Sequence, residues 1–139
     1  MTVTNDSIIR AFAYIVTPIN DDLAAAFATG AGAQNQGLTM QGEMNRITTS
    51  VATGACVLRS ITTGEAPPLV VVINDSPNSI NVGAAAGEKV NNVATTSSFG
   101  AGVLAVAAGA SAVFVSTGSL GKGGGNPATT QDWRAAAIT

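Results

Sequence analysis

Leu69-Val70-Val71-Val72-Ile73-Asn74-Asp75-Ser76-Pro77-Asn78-Ser79-Ile80-Asn81-Val82 decides the class of this chain. It reads in three parts. Five consecutive apolar residues, mostly β-branched, predict a strand buried on both faces. Asn74-Asp75-Ser76-Pro77-Asn78 is dense turn chemistry, because Asn and Asp bond their own backbone and Pro presets φ. Ile80 and Val82 then alternate with Ser79 and Asn81, as in a half-buried strand. The pattern predicts a β-hairpin.

Outward from this stretch the signals stay β. Residues 47–51 and 56–61 are candidate strands. Pro67-Pro68 marks a loop, since proline cannot donate to a sheet ladder. Residues 99–115 carry no charge and, at about 17 residues, reach only the short limit of a membrane span. Gly100, Gly102 and Gly109 interrupt them, and Leu104, Val106, Val113 and Val115 alternate, so they are read as a second hairpin joined through residues 107–110. Residues 118–127 form a Gly-rich connection, and Trp133 opens a final strand. Before the β region, Asp21-Asp22 ahead of an Ala run predicts one short helix through the N-terminal dipole, ended by Gly30 and Gly32. The expected fold is all-β in the main. It is a small antiparallel β-sandwich or barrel-like domain over residues 21–139, with residues 1–20 as an N-terminal arm or docking strand. That arm holds Ile8, Ile9, Phe12 and Tyr14, a concentration of bulky side chains; an ordinary edge strand of the same domain is the alternative.

Composition bounds the function. Of 139 residues only 10% are charged, against roughly 25% in an average soluble domain. Aromatics are 4%, while hydrophobic residues, many of them Ala, make up 46%. Such a surface favours burial in an oligomer or larger assembly, the alternative being a monomer coated in Thr, Ser, Asn and Gln. Net charge is −2 and no two basic residues are adjacent, which argues against nucleic acid and anionic membranes as partners. The first residues lack the basic head of a secretory signal.

Little in the sequence points to catalysis. There is no His, which removes the commonest general base and the His-assisted nucleophiles. With Cys56 as the single cysteine, neither an internal disulfide nor a structural zinc site can form; Cys56 is read as a small buried hydrophobe. Asp21-Asp22 is the one adjacent acid pair, and helix capping explains it. Residues 118–123 superficially resemble a phosphate loop, but Gly123 stands where Ser or Thr would hold magnesium. Residues 100–105 match a dinucleotide fingerprint in letters only, without the strand before or the helix after. No catalytic, cofactor or metal residues are assigned, and the chain is expected not to be an enzyme. Trp133 is read as a core or interface anchor with its N–H on a backbone acceptor, rather than as a ligand-stacking residue.

The order of these segments resembles a family. Ile73-Asn74-Asp75, then Ser79-Ile80-Asn81-Val82, then residues 84–92, then Ala108-Gly109-Ala110-Ser111-Ala112-Val113-Phe114 are similar to a β cassette of tailed-bacteriophage virion proteins. The usual pattern there is ND…N-x-V-x-P-A-x-G-x-x-I-N followed by A-x-G-x-S-A-x-F. The likeness covers about residues 47–117 and the Trp133 strand. Ala84 departs from the usual Pro and Val90 from the usual Ile. The glycine-rich loop before Trp133 is longer than the pattern leads one to expect. The resemblance implies a capsid decoration (cement) protein: a structural, often trimeric protein on the outer surface of the capsid, with the major capsid protein and copies of itself as partners. Binding to the assembled shell would stabilise it by linkage. The same cassette occurs in tail-fibre and receptor-binding or connector modules, which is the alternative. A carboxylate-dependent glycan hydrolase is a third, weaker reading. Ile8, Ile9, Phe12, Tyr14 and Trp133 are the expected capsid or subunit contacts.

Overall fold

A computed structural model of the chain describes Asn5 and residues 19–61, 69–117 and 132–138. The protein is mostly β. Its strands are β1 (Ile19–Ala25), β2 (Leu38–Thr39), β3 (Met44–Ser50), β4 (Gly54–Val57), β5 (Leu69–Asn74), β6 (Ile80–Gly83), β7 (Lys89–Val90), β8 (Val93–Ala94), β9 (Val103–Val106), β10 (Ser111–Ser116) and β11 (Asp132–Ile138), with a single-turn helix α1 (Ala33–Gln36). They form a seven-stranded sheet in the order β1-β3-β5-β10-β11-β7-β8 and a four-stranded sheet in the order β2-β4-β6-β9.

The chain crosses between the sheets at each step from β1 to β6. β1, β3 and β5 pair in parallel in the large sheet, and β2, β4 and β6 pair in parallel in the small one. The result is three successive coils, each supplying one strand per sheet. A fourth coil, β9 and β10, runs the other way and pairs antiparallel with β6 and β5. Both sheets are therefore mixed, which corrects the expectation of antiparallel pairing.

The two expected hairpins are corrected for the same reason. β5 and β6 flank the Asn74–Asn78 turn but lie in different sheets, and so do β9 and β10. Each turn is an arch between the layers, and the two arches stack. Side chains from both sheets then meet in one core. Ile47, Val70, Val72, Ala112, Phe114 and Trp133 of the large sheet pack with Cys56, Ile80, Val82 and Val106 of the small one.

The expected helix after Asp21-Asp22 is absent, because residues 19–25 pair with β3 as an edge strand. The short Ala-rich run Leu23–Phe27 supplies too few turns to outweigh sheet pairing, since short helices are marginal without tertiary support. β1 is irregular. Its register shifts around Leu23, and Asp22 takes φ 54°. The bulge resets the alternation, so Ile19 faces out of the sheet while Leu23 and Ala25 pack into the core. A bulge with two acids also guards an exposed edge against pairing with another chain. Among the described residues from Ile19 on, a helical turn forms later, after Gly32 in the left-handed region at φ 85°.

Candidate functional site

The turn that decided the class is a buried polar knot. Asn74 ends β5 with no exposure. Its Nδ2 donates to the carbonyls of Asn78 (2.9 Å), Val106 (2.9 Å) and Ala107 (3.1 Å). Its Oδ1 accepts from the Ser76 N–H (3.2 Å) and the Ser76 hydroxyl (2.6 Å). Its backbone N–H donates to Ala110 O, and its carbonyl accepts from Gly109 N–H. One side chain therefore ties the first arch to the second. Ser76 and Ser50 share a 2.6 Å hydroxyl contact, and Asn78 Nδ2 donates to Ser50 O at 2.7 Å, which adds the end of β3 to the knot. These groups are spent on one another, so the turn builds the fold.

Ala84 and Thr95 make a second such knot. The Ala84 N–H donates to Thr95 Oγ1 at 2.9 Å, and Thr95 Oγ1 donates to Gly102 O at 2.5 Å. The first bond uses the Ala84 N–H, a donor that a proline at that position would lack. Gly102 has φ 64°, and a Cβ there would lie 2.3 Å from the Ala94 carbonyl. The glycine that matched a nucleotide fingerprint is thus required by a close backbone approach.

The large sheet is apolar on both faces. Val70 and Val72 enter the core between the sheets, while Val71 and Ile73 point outward. The strand read as buried on both faces is so. Strand register places Ile19, Met44, Val71, Val113 and Ala136 in one row across the outer face. Arg46, Ile73, Ser111 and Ile138 form the next row. Met44, Val71 and Ile73 are buried to 0–1% exposure, whereas Val115, farther along β10, is 36% exposed.

A polar cluster rims this face. Arg46 Nε donates to Asp75 Oδ2 at 2.6 Å, and its Nη1 lies 3.3 Å from Asp21 Oδ1. The bond to Asp75 and the nearby Asp21 charge hold the Arg46 pKa above its ordinary value, against a smaller effect of burial. Asn5 joins the cluster: its Nδ2 donates to Asp75 Oδ1 at 2.6 Å, and its Oδ1 accepts from the Ser111 hydroxyl. Asp21, expected to cap a helix, instead faces Arg46. Asp22 accepts from Thr48 Oγ1 at 3.4 Å.

Of the sequence-predicted contacts, Trp133 is wholly buried in the core. Its indole N–H, expected on a backbone acceptor, has no hydrogen-bond partner among the described residues. Ile8, Ile9, Phe12 and Tyr14 lie outside the described residues, as does the 118–127 connection. Cys56 is buried in the core, and burial pushes its thiol up to about 12. Sequence reasoning missed Met44, Arg46 and Asn5. Met44 has no apolar alternation partner nearby, and the other two are isolated polar residues. Only the unbroken Leu69–Ile73 run hinted that the sheet has a second buried face.

Among the described residues no three His, Cys, Asp or Glu side chains gather as a metal site, and no helix is long and apolar enough to cross a membrane. No protein-family model, curated protein or solved structure matches the chain.

Proposed function

We propose that this protein is a structural virion component, a capsid decoration protein. In this reading it binds the major capsid protein on the outer surface of a phage head as a homotrimer, and it stabilises the shell without chemistry. The observation that supports it is how the Asn74–Asn78 turn is used. The polar residues that carry the resemblance to phage virion proteins are consumed inside the fold. A motif spent on architecture suits a protein whose task is to present a surface.

The low charge fits the same reading, since protein–protein contact cores are depleted in charged side chains. The two sheets would be the layers of a small β-sandwich. Residues 1–20 would be its arm, reaching a shell subunit or a neighbouring copy. Stabilisation would follow from linkage: a protein that binds only the assembled lattice shifts assembly in its favour.

The deciding experiment is copy number in purified particles, counted against the major shell protein by quantitative mass spectrometry. Numbers comparable to the shell protein are expected. A few copies per particle would replace decoration with the tail-fibre or receptor-binding role, and absence from particles would overturn both. Deleting residues 1–18 tests the arm, and unchanged occupancy of the capsid would remove its docking role.

A further inference from the structure

The outer face of the seven-stranded sheet presents a problem of cover. Met44, Val71 and Ile73 have 0–1% exposure. Yet every described hydrophobic side chain packed on them, Ile19, Val113 and Ile138, belongs to the same sheet. The four-stranded sheet lies on the opposite side, where Val70 and Val72 meet it. Neighbours within one sheet stand side by side on its surface and cannot shield it from above, so complete burial requires a further layer.

We propose that, in the free chain, this face is the docking site for the chain's own residues 6–18. Two anchored residues bracket that segment. Asn5, just before it, is held on the face by Asp75 and by Ser111. Ile19, just after it, stands opposite Met44 and packs against the cluster that Met44 forms with Val71 and Ile73. Ser111 and Ile19 stand three strand spacings apart in the sheet order, roughly 15 Å at about 4.8 Å per spacing. Residues 6–18 have a contour of roughly 40 Å at about 3.3 Å per residue. Chain so much longer than its span, pinned at both ends on one face, has ample length to cross that face. Its residues Ile8, Ile9, Phe12, Tyr14, Ile15 and Val16 match the apolar surface beneath. The inference concerns the free chain and holds with or without a capsid. In the decoration reading it means that a shell must compete for side chains already stowed.

The three methionines allow a direct test in the full-length chain. Met44 reports the outer face and Met40 the shared core, with Met1 as a further internal reading. Hydrogen peroxide converts each to its sulfoxide at a rate set by access, and peptide mass spectrometry reads all three. In the unsubstituted protein Met44 should be oxidised as slowly as Met40. In the variant carrying Ile9→Asp and Phe12→Asp, Met44 should speed up about tenfold or more relative to Met40, because cover without the arm depends on rare opening. An unchanged ratio of Met44 to Met40 would overturn the proposal. So would Met44 protection that is lost on dilution, which would make a second copy the occupant. A milder pair keeps the test independent of any folding defect. Phe12→Ala and Val71→Ala, made singly and together, should shift the urea midpoint non-additively, and strictly additive shifts would refute the contact.

Discussion

Replacing Asn74 with Ala should cost far more than its small size suggests. The side chain offers two N–H donors to three carbonyls, so about two full bonds are made on that side, with one hydrogen shared. Its oxygen accepts two more, from the Ser76 N–H and hydroxyl. At about 1 kcal/mol net for each buried bond, the loss is about 4 kcal/mol. Part of it is softened, because the Ser76 hydroxyl keeps Ser50 and Asn78 as partners. Part is sharpened, because the buried Ser76 N–H loses its acceptor and no water reaches it easily. Against a total stability of roughly 5–15 kcal/mol for a domain, that is a large fraction. Urea unfolding followed through Trp133, the single Trp, is the assay. With a slope of about 2 kcal/mol per M for a small domain, the midpoint should fall by about 2 M. Asn81→Ala is the control. Asn81 lies on β6 next to the same turn but makes no side-chain hydrogen bond among the described residues, so the expected change is within about 0.5 kcal/mol. If Asn74→Ala costs less than about 1 kcal/mol, or no more than Asn81→Ala, the stacked arches are not held by this residue and the reasoning fails.

Three further outcomes follow from the same structure. Gly102→Ala should destabilise by at least about 2 kcal/mol, since it adds left-handed strain to an overlap with the Ala94 backbone; a thermal midpoint unchanged within error would contradict this. Cys56 should resist thiol reagents in the native protein and react only on unfolding, so rapid modification of the folded chain would show that its site is open. Its raised pKa also sets a sign. Below pH 9 both states hold the proton and nothing is gained or lost. Between the ordinary 9.0 and about 12 only the unfolded thiol ionises, so stability should fall by about 1.4 kcal/mol per pH unit, and Cys56→Ala should remove that slope. Finally, Arg46→Met should cost no more than about 1 kcal/mol in double-mutant cycles with Asp75, because the pair is partly exposed to solvent; a coupling of several kcal/mol would mean the rim is buried more deeply than the side-chain exposures indicate.

Much of this protein is legible one residue at a time. The β-branched run Leu69–Ile73 announces a strand covered on both faces, and its alternate residues do enter two separate clusters. A lone Cys among small apolar residues announces burial. These readings depend on the local preference of a side chain for water or for its absence, which composition and period express directly. Strand membership is different. The Asn74–Asn78 turn and residues 107–110 reverse the chain as expected, but turn chemistry specifies a reversal and not the sheet in which the next strand will pair. That choice is made by contacts distant in sequence: Asn74 reaching Val106 and Ala107, and β5 and β6 pairing with β3 and β4, which lie in separate sheets. The Ala run after Asp22 was settled in the same way, by the open edge of β3 and not by helix propensity. Amino-acid pattern thus determined that β5, β6, β9, β10 and β11 are strands and that Val70–Ile73 and Cys56 are buried. It did not determine β1, which it read as helix, or the burial of Met44. Tertiary structure alone decided which layer each strand joined, because every pairing partner from β1 to β6 lies beyond the next strand in sequence, where no local signal extends.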